Sequence, residues 1–172
     1  MAAQRIKAQY PNIKLIFIVR DPVQRALSNY FHSLRYGYEQ LAINEAFDRP
    51  MLVFEQEFEK MKTTPNYHSY EYHTHGYVYK SFYAKQLKLW LQHFNANQIL
   101  VLENNEMLNQ PQKVYNQVLK FLNLPEFTLT QFGKHNVGKT QKVSDEFINQ
   151  LKAEFKQPNQ EFFDLVGRKF DW

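Results

Sequence analysis

A short apolar run that passes straight into a helix start is the feature that most constrains the fold of this chain. The run from Leu15 to Val19 contains only aliphatic and aromatic residues, three of them β-branched, which is typical of a buried parallel strand. Arg20 comes at its carboxyl end, Asp21 suits a helix N-cap, and Pro22 suits the first helical position. The sequence therefore predicts a strand followed at once by a helix.

The junction between this strand and helix suits an anion. In open α/β sheets, ligands gather beyond the carboxyl ends of the strands, where helix N-termini also favour negative charge. Arg25 and Ser28 lie about one and two turns into the predicted helix, on a polar stripe opposite its apolar one. With Arg20, they predict a phosphate pocket. The alternative is a solvated helix face with Arg20 in a structural ion pair.

The same residues resemble a known family. The pattern Arg-x-Pro-x-x-Arg-x-x-Ser-x-Tyr, from Arg20 to Tyr30, is similar to the 3′-phosphate-binding motif of PAPS-dependent sulfotransferases, above all the bacterial and heparan-sulfate-type members. The resemblance implies that Arg20 and Ser28 hold the 3′-phosphate of 3′-phosphoadenosine 5′-phosphosulfate (PAPS), with Arg25 in the same pocket. It implies a P-loop-NTPase-like α/β fold of three layers, in which helices flank a parallel sheet.

The resemblance spans nearly the whole chain. Gly76-Tyr77-Val78-Tyr79 and the helix after it resemble the family's Gly-x-Tyr helix, and the segments 98–103, 121–125 and 165–172 resemble its next strand, a helix end and its C-terminus. We therefore expect residues 1–172 to form one sulfotransferase domain. Family members begin with a further strand and a Lys/Gly/Thr-rich loop that cradles the 5′-phosphosulfate. This sequence lacks them, so we expect a partial domain and assign no catalytic base.

Other helix and strand signals follow along the chain. We expect strands at 14–20 and 98–102, and helices at 3–9, 22–36, 44–61 with a break at Pro50, 77–94, 111–122, 144–156 and 159–166. Segment 65–76 is predicted to be a loop, and 127–132 alternates as an edge strand does. A sheet generally needs three or more strands or cover by helices. We therefore expect the chain to pair with a separate upstream piece, to oligomerise, or to be poorly stable alone.

The function implied by the resemblance is transfer of a sulfuryl group from PAPS to a hydroxyl or amine acceptor, such as a carbohydrate. Two alternatives remain open: a non-catalytic remnant that binds 3′-phosphoadenosine nucleotides, and a P-loop protein that binds ATP or GTP. The second depends on Gly133–Thr140, which fits the pattern Gly-x-x-x-x-Gly-Lys-Thr. No apolar strand for a second nucleotide motif follows it. We therefore expect Lys134 and Lys139 to lie in a cationic loop that closes over the PAPS nucleotide.

Composition and histidine spacing give only general indications about partners, location and metal binding. The net charge of +4 suits an anionic ligand, but the basic residues are spread along the chain, so we expect no nucleic-acid partner. With no cysteine, no signal peptide and no membrane-length apolar run, we expect a cytoplasmic protein. His68, His73 and His75 offer a metal alternative without a familiar ligand spacing, so we expect no metal. The tyrosines around them are core residues or stack on an acceptor.

Overall fold

The fold is a short parallel sheet with many helices, and the computed structural model describes it for residues 2–133 and 141–172. In chain order the helices and strands are α1 (Ala2–Gln9), β1 (Leu15–Val19), α2 (Pro22–Arg35), α3 (Ile43–Phe47), α4 (Met51–Thr63), α5 (Tyr70–His75), α6 (Tyr83–Leu91), β2 (Ile99–Glu103), α7 (Asn104–Asn109), α8 (Pro111–Leu122) and α9 (Asp145–Val166). Two 3₁₀ turns, Tyr79–Ser81 and Ala96–Gln98, precede α6 and β2.

The described residues fall into two compact units along the chain, and the first contains the sheet. It comprises residues 2–20 and 85–133. Strands β1 and β2 pair in parallel, with Leu15 opposite Ile99 and Val19 opposite Glu103. Val19 is buried, whereas the alternate residues Ile16 and Ile18 are 42% and 54% exposed. Both strands predicted from the sequence are confirmed, but the expected burial of β1 is wrong for one of its faces, which is exposed within the described residues.

The second unit is built around α2 and α9 and comprises residues 21–84 and 141–172. The predicted start of α2 is confirmed: the Asp21 Oδ1 atom accepts a hydrogen bond from the backbone N–H of Gln24 at 3.1 Å, and Pro22 opens the first turn. The buried face of α2 meets two apolar clusters. One consists of Val23, Val78, Phe82, Leu151 and Phe155, and the other of Ala26, Tyr30, Ala46 and Tyr77.

The loop prediction for residues 65–76 is wrong for its second half, which forms α5. Ser69 caps this helix, since its Oγ atom accepts a hydrogen bond from the backbone N–H of Tyr72 at 3.0 Å. The helix has only six residues. So short a helix shows no sustained 3.6-residue period, and its cap was the one signal in the sequence.

The helix predicted at 77–94 is also wrong in its first part, which is a 3₁₀ turn. The Ser81 hydroxyl donates to the backbone carbonyl of Tyr77 at 3.0 Å. Such hydroxyl bonds compete with the regular backbone ladder, and the α-helix begins only at Tyr83. The predicted apolar stripe is largely confirmed, because Tyr83, Leu87 and Phe94 are buried.

The two helices predicted at 144–156 and 159–166 are one helix, α9, which continues through Pro158. An interior proline costs a helix about 3 kcal/mol. Buried side chains on both sides offset that cost: Leu151 and Phe155 before the proline, Phe162 and Phe163 after it. The helix ends as predicted at Val166 and is followed by Gly167, whose φ of +66° is the left-handed conformation that glycine favours.

Residues 127–132 do not form the alternating edge strand that their pattern suggested. The Gln112 side chain instead binds their backbone: its Nε2 donates to the carbonyl of Phe127 at 2.9 Å, and its Oε1 accepts from the N–H of Leu129 at 2.7 Å. A side chain of α8 thus satisfies backbone groups that a neighbouring strand would have bound.

Candidate functional site

The predicted anion-binding residues are distributed over both units. Arg20 is half-buried and directly follows β1, at the end of the first unit's chain segment. Arg25 and Ser28 belong to α2 in the second unit and are also half-buried. The Ser28 hydroxyl has no hydrogen-bond partner among residues 2–133 and 141–172. Within these ranges, its donor and acceptor groups are therefore not used by the protein.

Arg25 packs its guanidinium against the 3₁₀ turn. The Nη1 atom donates to the Ser81 Oγ atom at 3.2 Å. Burial lowers the pKa of Arg25, and the neighbouring hydroxyls of Tyr83 and Tyr72 oppose that shift. Within the part of the chain that the structure describes, Arg25 forms no ion pair with a carboxylate. The remaining positions, Met1 and 134–140, contain no Asp or Glu.

Lys80 brings a second positive charge to the same surface, and the sequence analysis missed it. Its Nζ atom donates to the backbone carbonyl of His73 at 2.7 Å. Burial, and then the charge of Arg25, lower the pKa of Lys80 to about 8. The only signal in the sequence was a lysine within an aromatic segment. Such a lysine is equally typical of the protein surface.

A buried carboxylate holds the loop that follows α2. Glu39 accepts hydrogen bonds from Arg49 at 2.6 and 3.0 Å, from the N–H groups of Gln40 and Leu41, and from the Tyr77 hydroxyl at 2.9 Å. Burial raises the pKa of Glu39, but these hydrogen bonds, led by Arg49, outweigh it and lower the pKa to about 2. Every oxygen of this carboxylate is used by the protein, so its role is structural.

The histidines of the metal alternative make protein contacts. His75 places Nδ1 2.9 Å from the Glu71 carboxylate and Nε2 2.9 Å from the backbone carbonyl of Tyr38. His68 and His73 stack with their ring centroids 4.2 Å apart. Across the described residues, no group of three or more His, Asp or Glu side chains is placed to hold a metal ion.

The late cationic loop predicted from the sequence lies outside the described residues. Lys134 and Lys139, and with them the pattern Gly133–Thr140 apart from Gly133 itself, fall in the range that the structure leaves undescribed. Their contribution to a nucleotide site stays a prediction.

Gly76 connects α5 to the 3₁₀ turn and is expected to resist substitution. A Cβ atom at this position would lie 2.8 Å from the backbone carbonyl oxygen of Tyr72. We expect Gly76→Ala to destabilise the protein by about 1–3 kcal/mol, as overpacking does, measured by urea denaturation. Ala84→Gly, at another buried position, is the control for a small change in volume. Unaltered stability of Gly76→Ala would contradict this close approach.

Comparison with known proteins shows which family has this architecture. Residues 3–164 match the family described as the sulfotransferase domain. The chain therefore belongs to the sulfotransferase domain family, and the resemblance predicted from its sequence is confirmed.

Individual relatives support this assignment. The human heparan sulfate glucosamine 3-O-sulfotransferase 5 is 30% identical over 192 residues, covering 98% of this chain and 52% of that protein. The membrane-associated sulfotransferase kil1 of Dictyostelium discoideum is 25% identical over 235 residues, covering 99% of this chain and 50% of that protein. A solved sulfotransferase structure from Alicyclobacillus acidocaldarius matches with a TM-score of 0.70 and 25% identity, over 98% of this chain and 60% of that one.

Two further observations concern the length of the chain and the character of its helices. The chain spans about half the length of these curated relatives. Within residues 2–133 and 141–172, none of the helices combines the length and the hydrophobicity that a bilayer crossing requires.

Proposed function

We propose that this chain binds PAPS and takes part in transferring its sulfuryl group to a hydroxyl or amine of a carbohydrate acceptor. The observation that carries the proposal is the confirmed junction at which β1 ends, Arg20 follows, and α2 begins at a capped proline turn. The resemblance of this segment to the family's 3′-phosphate motif supports Arg20 and Ser28 as ligands of the phosphate. The heparan sulfate enzyme among the relatives supports a carbohydrate acceptor.

The residues present fit the 3′-phosphate of PAPS. The Ser28 hydroxyl is without a partner among the described residues, and Arg25 carries a positive charge that no described carboxylate neutralises. A phosphate supplies the negative charge and the acceptor oxygens that such groups lack. An arginine can meet two of those oxygens at once through its planar fork, which a lysine cannot do.

The contribution of this chain to the reaction is positioning. PAPS, when bound, supplies the sulfuryl group and a stable phosphate leaving group. Arg20 and Ser28 would hold the far end of the nucleotide, so that binding energy from a non-reacting group orients the reacting one. No described side chain is assigned as the general base. Lys134 and Lys139 are proposed to contribute positive charge to the same nucleotide.

The first experiment is a calorimetric titration with 3′-phosphoadenosine 5′-phosphate (PAP). We expect saturable binding that Arg20→Ala weakens by about 10- to 100-fold, because a hydrogen bond to a charged group contributes about 1.5–3 kcal/mol. Ser28→Ala should weaken it less, by about 3- to 10-fold, because serine contributes a single hydrogen bond and no positive charge. Arg5→Ala, at an exposed position of α1, is the matched control and should bind normally.

Two further measurements separate the alternatives. Tight binding of Mg²⁺-ATP that is indifferent to Arg20→Ala would contradict the proposal and favour the P-loop alternative. Transfer of labelled sulfate from PAPS to desulfated heparan would show catalysis, whereas PAP binding without transfer would favour the non-catalytic remnant. A cytoplasmic location and pairing with a second copy or an upstream piece stay predictions.

A further inference from the structure

Two basic side chains converge on one surface of the second unit, and the family's motif accounts for only one of them. Arg25 reaches from α2 to the Ser81 hydroxyl at 3.2 Å, and Lys80 is the residue before that serine. The Lys80 Nζ atom is fixed by its hydrogen bond to the backbone carbonyl of His73 at 2.7 Å. These hydrogen bonds hold a guanidinium and an ammonium that are close enough to interact electrostatically.

Two partly buried positive charges close together are unfavourable unless a negative charge compensates them. Burial lowers the pKa values of both side chains, and the charge of Arg25 lowers that of Lys80 further. Arg25 has no carboxylate partner in the described ranges, and the undescribed positions hold no acidic residue. A guanidinium has five N–H donors, and the hydrogen bond to Ser81 uses one of them.

The remaining donors of Arg25 are not fully buried by the described residues. In the described part of the chain, the buried side-chain nitrogen and oxygen atoms without a partner are the Glu103 Oε1 and the Trp172 Nε1 atoms. The Arg25 nitrogens without a partner among the described residues are therefore not fully buried within this part of the chain. An oxyanion would satisfy these donors and separate the two positive charges electrostatically.

We propose that Arg25 and Lys80 form an oxyanion subsite, which takes a phosphate or sulfate group through charge-assisted hydrogen bonds from both side chains. The two sources of such a group are the phosphates of the sulfuryl donor and a sulfate already present on the carbohydrate acceptor. Naming these sources rests on the proposed function, whereas the subsite itself rests on the contacts of Arg25 and Lys80.

The groups around Lys80 allow a test by pH. Arg25 and His73 lie close enough to interact electrostatically with it, and Tyr83 and Tyr72 face Arg25. Burial, with the nearby His68 and Lys80, lowers the pKa of His73, which therefore stays neutral above pH 7. Burial raises the pKa of Tyr72, so it too stays neutral up to pH 9. Between pH 7 and pH 9 Lys80, with its pKa of about 8, loses its proton, and oxyanion affinity should fall with that loss.

The test uses two probes on the whole chain. PAP reports on the donor, and N-acetylglucosamine 6-sulfate reports on a sulfated acceptor, with uncharged N-acetylglucosamine as its matched ligand control. We expect Lys80→Gln to weaken at least one charged probe by about tenfold and Arg25→Gln to weaken the same probe by at least as much. Lys80→Arg should retain binding and abolish the decline in affinity between pH 7 and pH 9. If Lys80 had only a structural role, this substitution would leave the pH dependence unchanged.

Control variants make the outcomes decisive. Lys152→Gln and Arg35→Gln remove exposed charges from α9 and α2 of the same unit and should bind both probes like the original protein. Circular dichroism checks that each variant is folded. Normal binding of both probes by folded Lys80→Gln, or by Arg25→Gln, would overturn the subsite. If the original protein binds the sulfated sugar through this pair but not PAP, the subsite stands and the proposed donor fails.

Discussion

Replacing Arg49 by methionine is expected to lower the free energy of unfolding by about 3 kcal/mol at pH 7, the lower end of the range for breaking a buried ion pair. The Glu39 side chain is 2% exposed and that of Arg49 18%, so the variant leaves a carboxylate that water cannot reach. The lower end applies because Glu39 retains its bonds from Gln40, Leu41 and Tyr77. Urea denaturation at pH 7 measures the loss.

The pH dependence of the same variant tests the cause. Hydrogen bonds lower the pKa of Glu39 from 4.5 to about 2 against the effect of burial. A lowered carboxyl pKa stabilises the folded state above about pH 4.5, and this contribution is lost as the pH falls to about 2. Arg49→Met removes the largest of these hydrogen-bond contributions, so the pKa of Glu39 rises. The difference between the two proteins should therefore shrink between pH 4.5 and pH 2.

A surface ion pair in the same unit provides the control for Arg49→Met. Lys62 and Glu59 approach to 2.7 Å with side chains 30% and 60% exposed, and such pairs contribute about 0–1 kcal/mol. Lys62→Met should therefore change stability by less than about 1 kcal/mol. If Arg49→Met behaved like Lys62→Met, the burial of Glu39 would be contradicted.

The parts of the fold that could be predicted from the sequence are those whose signals are local. Strand β1, the cap at Asp21 and the proline at position 22 lie in consecutive residues, so their combined pattern predicts α2 without knowledge of the rest. Gly167 predicts the end of α9 for the same reason. Pro158 gave the wrong boundary because the packing of four side chains against the rest of the unit outweighs the local penalty.

The candidate site divides in the same way. Arg20 and Ser28 follow from a motif within nine residues, whereas Lys80 is 55 residues from Arg25 in the chain. Only the packing of the 3₁₀ turn against α2 brings these two charges together. The role of Glu39 could not be predicted for the same reason. In the sequence, a carboxylate that Arg49 and Tyr77 bury cannot be distinguished from one on the surface. Side chains that meet through tertiary packing carry no periodic signal.

Phe155→Ala is expected to have the largest effect on stability, a loss of about 3–5 kcal/mol, as for other buried Phe→Ala substitutions. The Phe155 side chain is fully buried on α9, and its ring centroid lies 5.7 Å from that of Phe82. Truncation removes the apolar surface of the ring and leaves a cavity between α9 and α2. Phe127→Ala, at a side chain 61% exposed, is the control and should change stability by less than about 0.5 kcal/mol.

The same substitution also tests how far the core supports the Arg25–Lys80 subsite. Phe82 is joined to Ser81, whose hydroxyl anchors Arg25, so a cavity next to Phe82 removes packing that fixes this anchor. We expect Phe155→Ala, measured where it is still fully folded, to bind the charged probe of that subsite a few-fold more weakly. Phe155→Leu, which refills most of the cavity, should recover both stability and affinity. Loss of stability with unchanged affinity would show that α2 alone positions Arg25. A decrease in the free energy of unfolding of less than about 1 kcal/mol would contradict the packing of α9 against this core.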